Sequence, residues 1–415
     1  MHGHDLAGEL SEFLAAWEAE LIAFRRDLHA HPELGYYEHR TTSRVMQQLA
    51  AAGLHPVTLP KGTGLIVDIG HGSPDAPMVA LRADMDALPV TDEKNVSYRS
   101  TVPNVCHACG HDVHTTMLLG AGLFLAHRAS EGGLPGRVRL IFQPAEEIGR
   151  GALDVLAFGG VTAIDRVFAL HCDPRLEVGK VGVRTGPITS ACDRIVVRVS
   201  GPGGHTARPH LTADLVYALG KIVTELPAAL SRRVDPRSSL SLVWGRVSAG
   251  SAANAIPDDG IVEGTVRCLD DEAWHEAPDL LKALIESVAS AYGVIAELHY
   301  QRNVPPTVNE PVSTAILETA AAQVLGHEAV TPSPQSLGGE DFAWYLESVP
   351  GSLARLGTRR PGAAEDFDIH QAVFDVDERA IGVGVRLMAA TALTALHAGG
   401  PQVPDTLPTA HVSNA

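Results

Sequence analysis

Three apolar runs that each end in acidic or histidine residues constrain this chain more than any other feature. Met78-Val79-Ala80-Leu81-Arg82-Ala83 runs into Asp84-Met85-Asp86. Arg137-Val138-Arg139-Leu140-Ile141-Phe142 runs into Gln143-Pro144-Ala145-Glu146-Glu147. Arg166-Val167-Phe168-Ala169-Leu170 runs into His171-Cys172-Asp173. Short runs of this kind read as strands buried on both faces. Helical patterns lie between them, from Val113 to Ala129 and from about Gly151 to Phe158. Strands alternating with helices predict an α/β fold, and open α/β sheets place their sites beyond the C-terminal strand ends.

A second cluster sits just before the first of those helices. Cys106-His107-Ala108-Cys109-Gly110-His111-Asp112-Val113-His114 is denser in metal-capable groups than any other segment. One glycine separates Cys109 from His111, so both side chains can converge on a single ion. A loop with scattered histidines is the bland alternative, and the three strand ends weigh against it.

Composition excludes some classes. The chain has 415 residues, 45% hydrophobic, enough for a sizeable core and two domains. A net charge of -17 and a pI near 5.6 argue against nucleic acid or an anionic membrane as partner. The first residues lack a basic region followed by an apolar run, so no signal peptide is expected. Five cysteines without disulfide-framework spacing suit a reducing cytoplasm. The segment 399–415 reads as a frayed tail.

At the start of the chain, Leu10, Phe13, Leu14, Trp17, Leu21, Phe24 and Leu28 recur at helical spacing, and Pro32 and Gly35 end that helix. His29 and His31 are expected in structural or surface roles. After Thr189 the pattern changes. Strands are expected at Asp193–Ser200, Ser239–Val247, Gly260–Cys268 and Val294–Tyr300, with helices at Leu211–Leu226 and Asp271–Tyr292. The order β-α-β-β-α-β is ferredoxin-like. Asn303-Val304-Pro305-Pro306 reads as a linker, after which α/β patterning resumes. The expected organisation is a catalytic domain at 1–189 and 304–398, with a second domain at 190–303 inserted in it.

Adjacent glutamates need not share a task. One of Glu146 and Glu147 can ligate a metal while the other serves as general base. At this point the chain resembles the aminoacylase and carboxypeptidase superfamily of co-catalytic metallopeptidases, specifically the amidohydrolase branch of peptidase family M20. That branch includes hippurate hydrolases, N-acetyl-diaminopimelate deacetylases and plant auxin-conjugate hydrolases. The matching stretches are RRDLHAHPELG from Arg25, LRADMDALP from Leu81, HACGHDVHTTMLLGA from His107, FQPAEE from Phe142 and HCDP from His171. They continue with GPGGHTARPH from Gly201, SAANAIPD from Ser251, GTVRCL from Gly264, GGEDFAWY from Gly338 and IHQAVFDVDE from Ile369.

The resemblance implies a discontinuous α/β/α metallopeptidase-type catalytic domain with a ferredoxin-like lid and dimerisation domain. It implies five ligands for two divalent ions (Zn²⁺, Mn²⁺, Co²⁺ or Ni²⁺): Cys109, His111, Glu147, His171 and His370. Glu146 matches the general base and Asp86 the aspartate that orients a metal-bound histidine. Asp84 is a supporting residue, and Asp112 is a ligand in an alternative assignment. His205 matches an oxyanion donor that often reaches the site of the partner subunit. Asn254 and Arg267 suit a substrate carboxylate, though Arg267 in a strand-surface salt bridge is an equal reading. Gly339, beside Gly338, suits close backbone approach to substrate.

The expected activity is hydrolysis of N-acyl amino acids by a cytoplasmic homodimer or higher homo-oligomer. A dipeptidase or carboxypeptidase on the same scaffold and a catalytically dead metal-binding relative are the alternatives.

Overall fold

The structure is a computed structural model, and it describes residues 5–70, 76–363 and 367–399. In chain order the helices are α1 (Leu6–Ala30), α2 (His39–Ala51), α3 (His111–Ser130), α4 (Gly151–Ala157), α5 (Leu215–Leu230), α6 (Asp271–Ala291), α7 (Pro311–Leu325), α8 (Ala343–Leu346) and α9 (Arg379–Ala398). The first strands are β1 (Val57–Thr58), β2 (Leu65–Ile69), β3 (Met78–Asp84), β4 (Arg137–Gln143), β5 (Arg166–Glu177), β6 (Val181–Val183), β7 (Gly186–Thr189) and β8 (Ala191–Ser200). The remainder are β9 (Gly204–His205), β10 (Ser241–Ala249), β11 (Ala255–Ile256), β12 (Asp259–Cys268), β13 (Ile295–Val304), β14 (Thr307–Asn309), β15 (Val330–Pro332) and β16 (Gly351–Arg359).

An eight-stranded sheet in the order β1-β2-β4-β3-β5-β16-β6-β15 forms the middle layer. Its four central strands, β4, β3, β5 and β16, run parallel. All seven residues of β3 are buried, and its two charged residues, Arg82 and Asp84, pair with each other. Val79, Leu81 and Ala83 enter one core with α1, α3, α7 and α9, whereas Met78 and Ala80 enter another with α4 and α8. Successive strand side chains point to opposite faces, so a strand buried on both sides needs an apolar or paired side chain at every position. The result is an α/β/α sandwich. α9 is apolar and long enough to cross a membrane by composition, yet most of it is buried in the first of these cores.

The expected β-α-β-β-α-β order also appears, as β8-α5-β10-β12-α6-β13. These four strands form a fully antiparallel sheet in the order β10-β12-β8-β13. β8 alternates, burying Ile195, Val197 and Val199 against Leu219 and Ile222 of α5 and Leu281 and Ile285 of α6. This core is separate from those of the large sheet.

Three local differences bear on the site. α3 begins at His111 rather than Val113, because Gly110 adopts φ 87° and starts the helix there. β5 does not stop at Leu170. It continues to Glu177, so His171 lies within a strand. β13 runs through Val304, which leaves only Pro305 and Pro306 between it and β14. The expected tail lies outside the described residues beyond Gly399.

Candidate metal centre

The C-terminal ends of β3 and β4, the middle of β5 and the N-terminus of α3 converge. Gly110 makes the α3 junction possible. A Cβ there would lie 2.9 Å from Cys172 Sγ, and its backbone is left-handed. Cys109 and His111 therefore flank a turn that only glycine fits, and both are buried.

Each remaining donor comes from a different element. His171 leaves β5, and its Nδ1 lies 2.8 Å from the Cys172 carbonyl oxygen. A carbonyl only accepts, so Nδ1 carries the proton and Nε2 turns its lone pair toward Cys109 Sγ, 3.6 Å away. Glu146 and Glu147 follow β4 through Ala145, a left-handed residue at φ 55°. His370, also left-handed at φ 65°, is tied down by its backbone N–H, which donates to the Ala108 carbonyl at 2.7 Å. Non-glycine residues in this region are uncommon and concentrate where the surroundings hold them.

The five expected ligands thus come together. Cys109, His111 and His171 form one group whose ligand atoms lie within 4.8 Å of each other, and Cys109, Glu147 and His370 form another. His111 Nε2 stands 3.8 Å from Glu147 Oε1 and 4.0 Å from Glu146 Oε2. His370 Nε2 is 3.5 Å from Glu147 Oε1. Both ring nitrogens of His111 and Oε1 of Glu147 are buried with no hydrogen-bond partner. Orphaned atoms of this kind are costly in a folded protein. Thiol, imidazole and carboxylate atoms crowded this closely fit divalent ions such as Zn²⁺.

Supporting residues surround them. Asp86 accepts the backbone N–H groups of Glu146 and Glu147, each at 3.0 Å, and lies 3.4 Å from His111 Nδ1. The Cys172 N–H donates to His114 Nε2 at 2.8 Å, so His114 Nδ1 carries the proton and donates to Asp84 at 2.6 Å. Asp84 also pairs with Arg82 at 2.6 Å. Asp112 turns away from the cluster to Arg25 and His29, each at 2.7 Å, which removes it as a ligand. Glu38 also belongs here, and no neighbouring residue in the sequence marks it. It is fully buried, and its Oε1 accepts the Ala145 N–H at 2.8 Å. Burial and nearby Asp86 push its carboxyl up to about 7.

The electrostatics follow from burial and crowding. Burial, Glu340 and Glu147 hold Glu146 well above the usual carboxylate range. Burial raises Glu147 to about 7, against the pull of His111. Burial and the Glu147 charge push the Cys109 thiol up, and burial and Arg355 push His171 down. For His111 burial works the other way, but Asp84 and Cys109 outweigh it and hold the imidazole well above its ordinary value.

A cleft of about 460 Å³ opens over these groups. Gly339 lines it, and a Cβ there would meet Val304 Cγ2 at 2.9 Å and Cys192 Cβ at 3.2 Å. Arg267 lines it too, with Nη1 donating to the Leu337 carbonyl and not to a carboxylate. His205 and Asn254 do not line it. Both are exposed, His205 in β9 and Asn254 just before β11, and the Thr206 N–H donates to the Asn254 carbonyl at 3.3 Å.

A family model for peptidase family M20/M25/M40 matches residues 80–394. The chain belongs to that family. Among M20 relatives, an N-acetyl-L-cysteine deacetylase of Bacillus subtilis is 38% identical over 89% of this chain and 86% of its own length. A solved Bacillus subtilis structure, described as a dinuclear metal-binding peptidase of the family, superposes with a TM-score of 0.81. It is 35% identical and covers 92% of this chain and 99% of that one. A Rhodococcus jostii protein named as a candidate glutamate–cysteine ligase is 49% identical over 90% of this chain. This chain spans only 46% of that protein's length.

Proposed function

We propose that this M20 chain is a metal-dependent amidohydrolase that cleaves N-acyl amino acids into a carboxylic acid and a free amino acid. The observation that carries the reading is the set of orphaned buried atoms on His111 and Glu147, crowded against Cys109, His171 and Glu146. Cys109, His111, Glu147, His171 and His370 would hold two divalent ions. When bound, such ions polarise the scissile carbonyl and lower the pKa of water from 15.7 to about 7.

The chain's own groups supply the proton transfers. Glu146 Oε1 accepts the Asp341 N–H at 3.4 Å, which leaves Oε2 free and facing His111. At Oε2 it is placed to take a proton from the attacking water and give it to the departing nitrogen. Asp86 holds the backbone of Glu146 and Glu147 in place, so a carboxylate shift of 1 Å is resisted at both positions.

His205 would supply the oxyanion donor, and Asn254 a substrate contact, in the cleft of a second copy. Their exposure side by side outside their own cleft supports that arrangement, with 190–303 as lid and dimerisation domain between the catalytic segments 1–189 and 304–398. A reducing cytoplasmic location fits five unpaired cysteines. The test is hydrolysis of a panel of acylated amino acids and dipeptides by the metal-loaded protein. Turnover of dipeptides alone would point to a dipeptidase, and no turnover at all to an inactive relative.

A further inference from the structure

One charged side chain in the cleft has no counterpart. Arg355 lies in β16, is only 8% exposed, and lines the cleft. Among the described residues it makes no hydrogen bond and no ion pair. The carboxylates that attract it are already engaged. Asp173 is held at both oxygens by Arg175, at 3.0 and 3.1 Å, and Glu340 pairs with Arg82 at 3.2 Å. Buried arginines are almost always paired, because an isolated charge removed from water is costly. Arg355 also stays charged, since a guanidinium does not deprotonate in proteins.

Its position says what would satisfy it. Arg355 stands opposite His171 in the parallel β5/β16 ladder, so both side chains leave the sheet on one face. Neighbouring strands are about 4.8 Å apart, which sets the guanidinium beside the metal-donor cluster. Arg267, the other arginine of the cleft, is half-buried and already donates to Leu337. The Arg355 side chain is largely buried, but no guanidinium nitrogen is a fully buried orphan, so the unengaged fork faces the cleft and can bind a carboxylate bidentately there. In an N-acyl amino acid the carboxylate carbon is two bonds from the amide nitrogen. An acid group held at Arg355 therefore lays the scissile amide over the donors.

We infer that Arg355 is the residue that binds the α-carboxylate of the substrate and makes this site selective for free acids. The inference rests on the amidohydrolase reading, and its test separates the two. Wild type, Arg355→Ala, Arg355→Lys and Arg267→Ala are compared on an N-acyl amino acid and on its carboxamide, with metal content verified by elemental analysis. Arg355→Ala should lower kcat/KM about a hundredfold on the acid and less than about threefold on the carboxamide, with part of the loss restored by lysine. Calorimetric titration with the free amino acid product should show the same loss of affinity, and titration with its amide should not.

Equal losses on acid and carboxamide would overturn the inference, as would an acid-selective loss in Arg267→Ala instead. If no substrate is cleaved but Arg355 still governs product binding, the amidohydrolase reading fails and the anchor stands. If the product does not bind at all, both fail. Thermal melting provides a control for folding. Arg355→Met removes an unpaired buried charge, so its Tm should hold or rise. A fall of many degrees would make Arg355 a structural residue and overturn the inference.

Discussion

His111 and Asp112 are consecutive, yet they face two different clusters. On the Asp112 side every charge meets an opposite one. Arg25 reaches Asp112 at 2.7 Å, Asp375 at 3.2 Å and Glu378 at 3.4 Å. His29 reaches Asp112 at 2.7 Å and Asp92 at 3.3 Å, and Lys94 reaches Asp92 at 2.9 Å. On the His111 side the neighbours stand at 3.4 to 4.0 Å, and neither ring nitrogen is hydrogen-bonded. Both groups are buried and built from the same residue types. The first pairs its charges directly, though Asp112 Oδ1 makes no hydrogen bond, and braces α1 against α3. The second is spaced for something between its members. Spacing, rather than composition, separates a structural cluster from a site.

That contrast can be broken by substitution. The largest effect is expected at Glu146. Glu146→Gln should lower kcat by about 10³-fold or more with both metals retained, because it removes the base and not a ligand. Near-normal kcat in steady-state assays would remove Glu146 from that role. Next comes the paired cluster. Asp112→Ala removes the nearest counter-charge of both Arg25 and His29, leaving them only their longer pairs, and should cost about 3 kcal/mol in urea unfolding. The folded remainder should keep kcat within about threefold. A large kcat loss with little change in stability would erase the distinction between the two clusters.

Cys109→Ala or His370→Ala should weaken metal binding at least about tenfold by elemental analysis of dialysed protein, with a smaller cost in stability. Full occupancy would take either residue off the ligand list. The smallest effect concerns pH. Burial alone would lower the His29 pKa, but Asp112 raises it to about 10, against an ordinary 6.5. A raised folded-state pKa gives stability that is complete below pH 6.5 and fades as pH climbs through 10. The wild type should therefore lose a few more degrees of Tm between pH 7 and 10.5 than His29→Asn does. Parallel curves would contradict the assigned pairing.

Much of the scaffold is legible because burial on both faces forces a sequence signature. β3 and β4 fall within one residue of their expected bounds, since every position there needs an apolar or paired side chain. The separate antiparallel sheet is legible too, through the alternation of β8. Short strands such as β6 and β15 are not, because three residues carry no period. At the site, residue types that could ligate stand out by crowding, and the family resemblance sorts them. Glu38 and Arg355 do not stand out. A lone glutamate and a lone arginine look like surface residues until the fold buries one against Ala145 and leaves the other without a counter-charge. Partnership is a three-dimensional property, and no spacing along the chain encodes it.

The most direct test strips the protein of metal, reloads it with Zn²⁺, Mn²⁺, Co²⁺ or Ni²⁺ singly, and measures both stoichiometry and hydrolysis of N-acyl amino acids. Two ions per chain and turnover restored by at least one of these metals are expected. Two bound ions with no hydrolysis of any acyl amino acid, or turnover unaffected by complete metal removal, would contradict it.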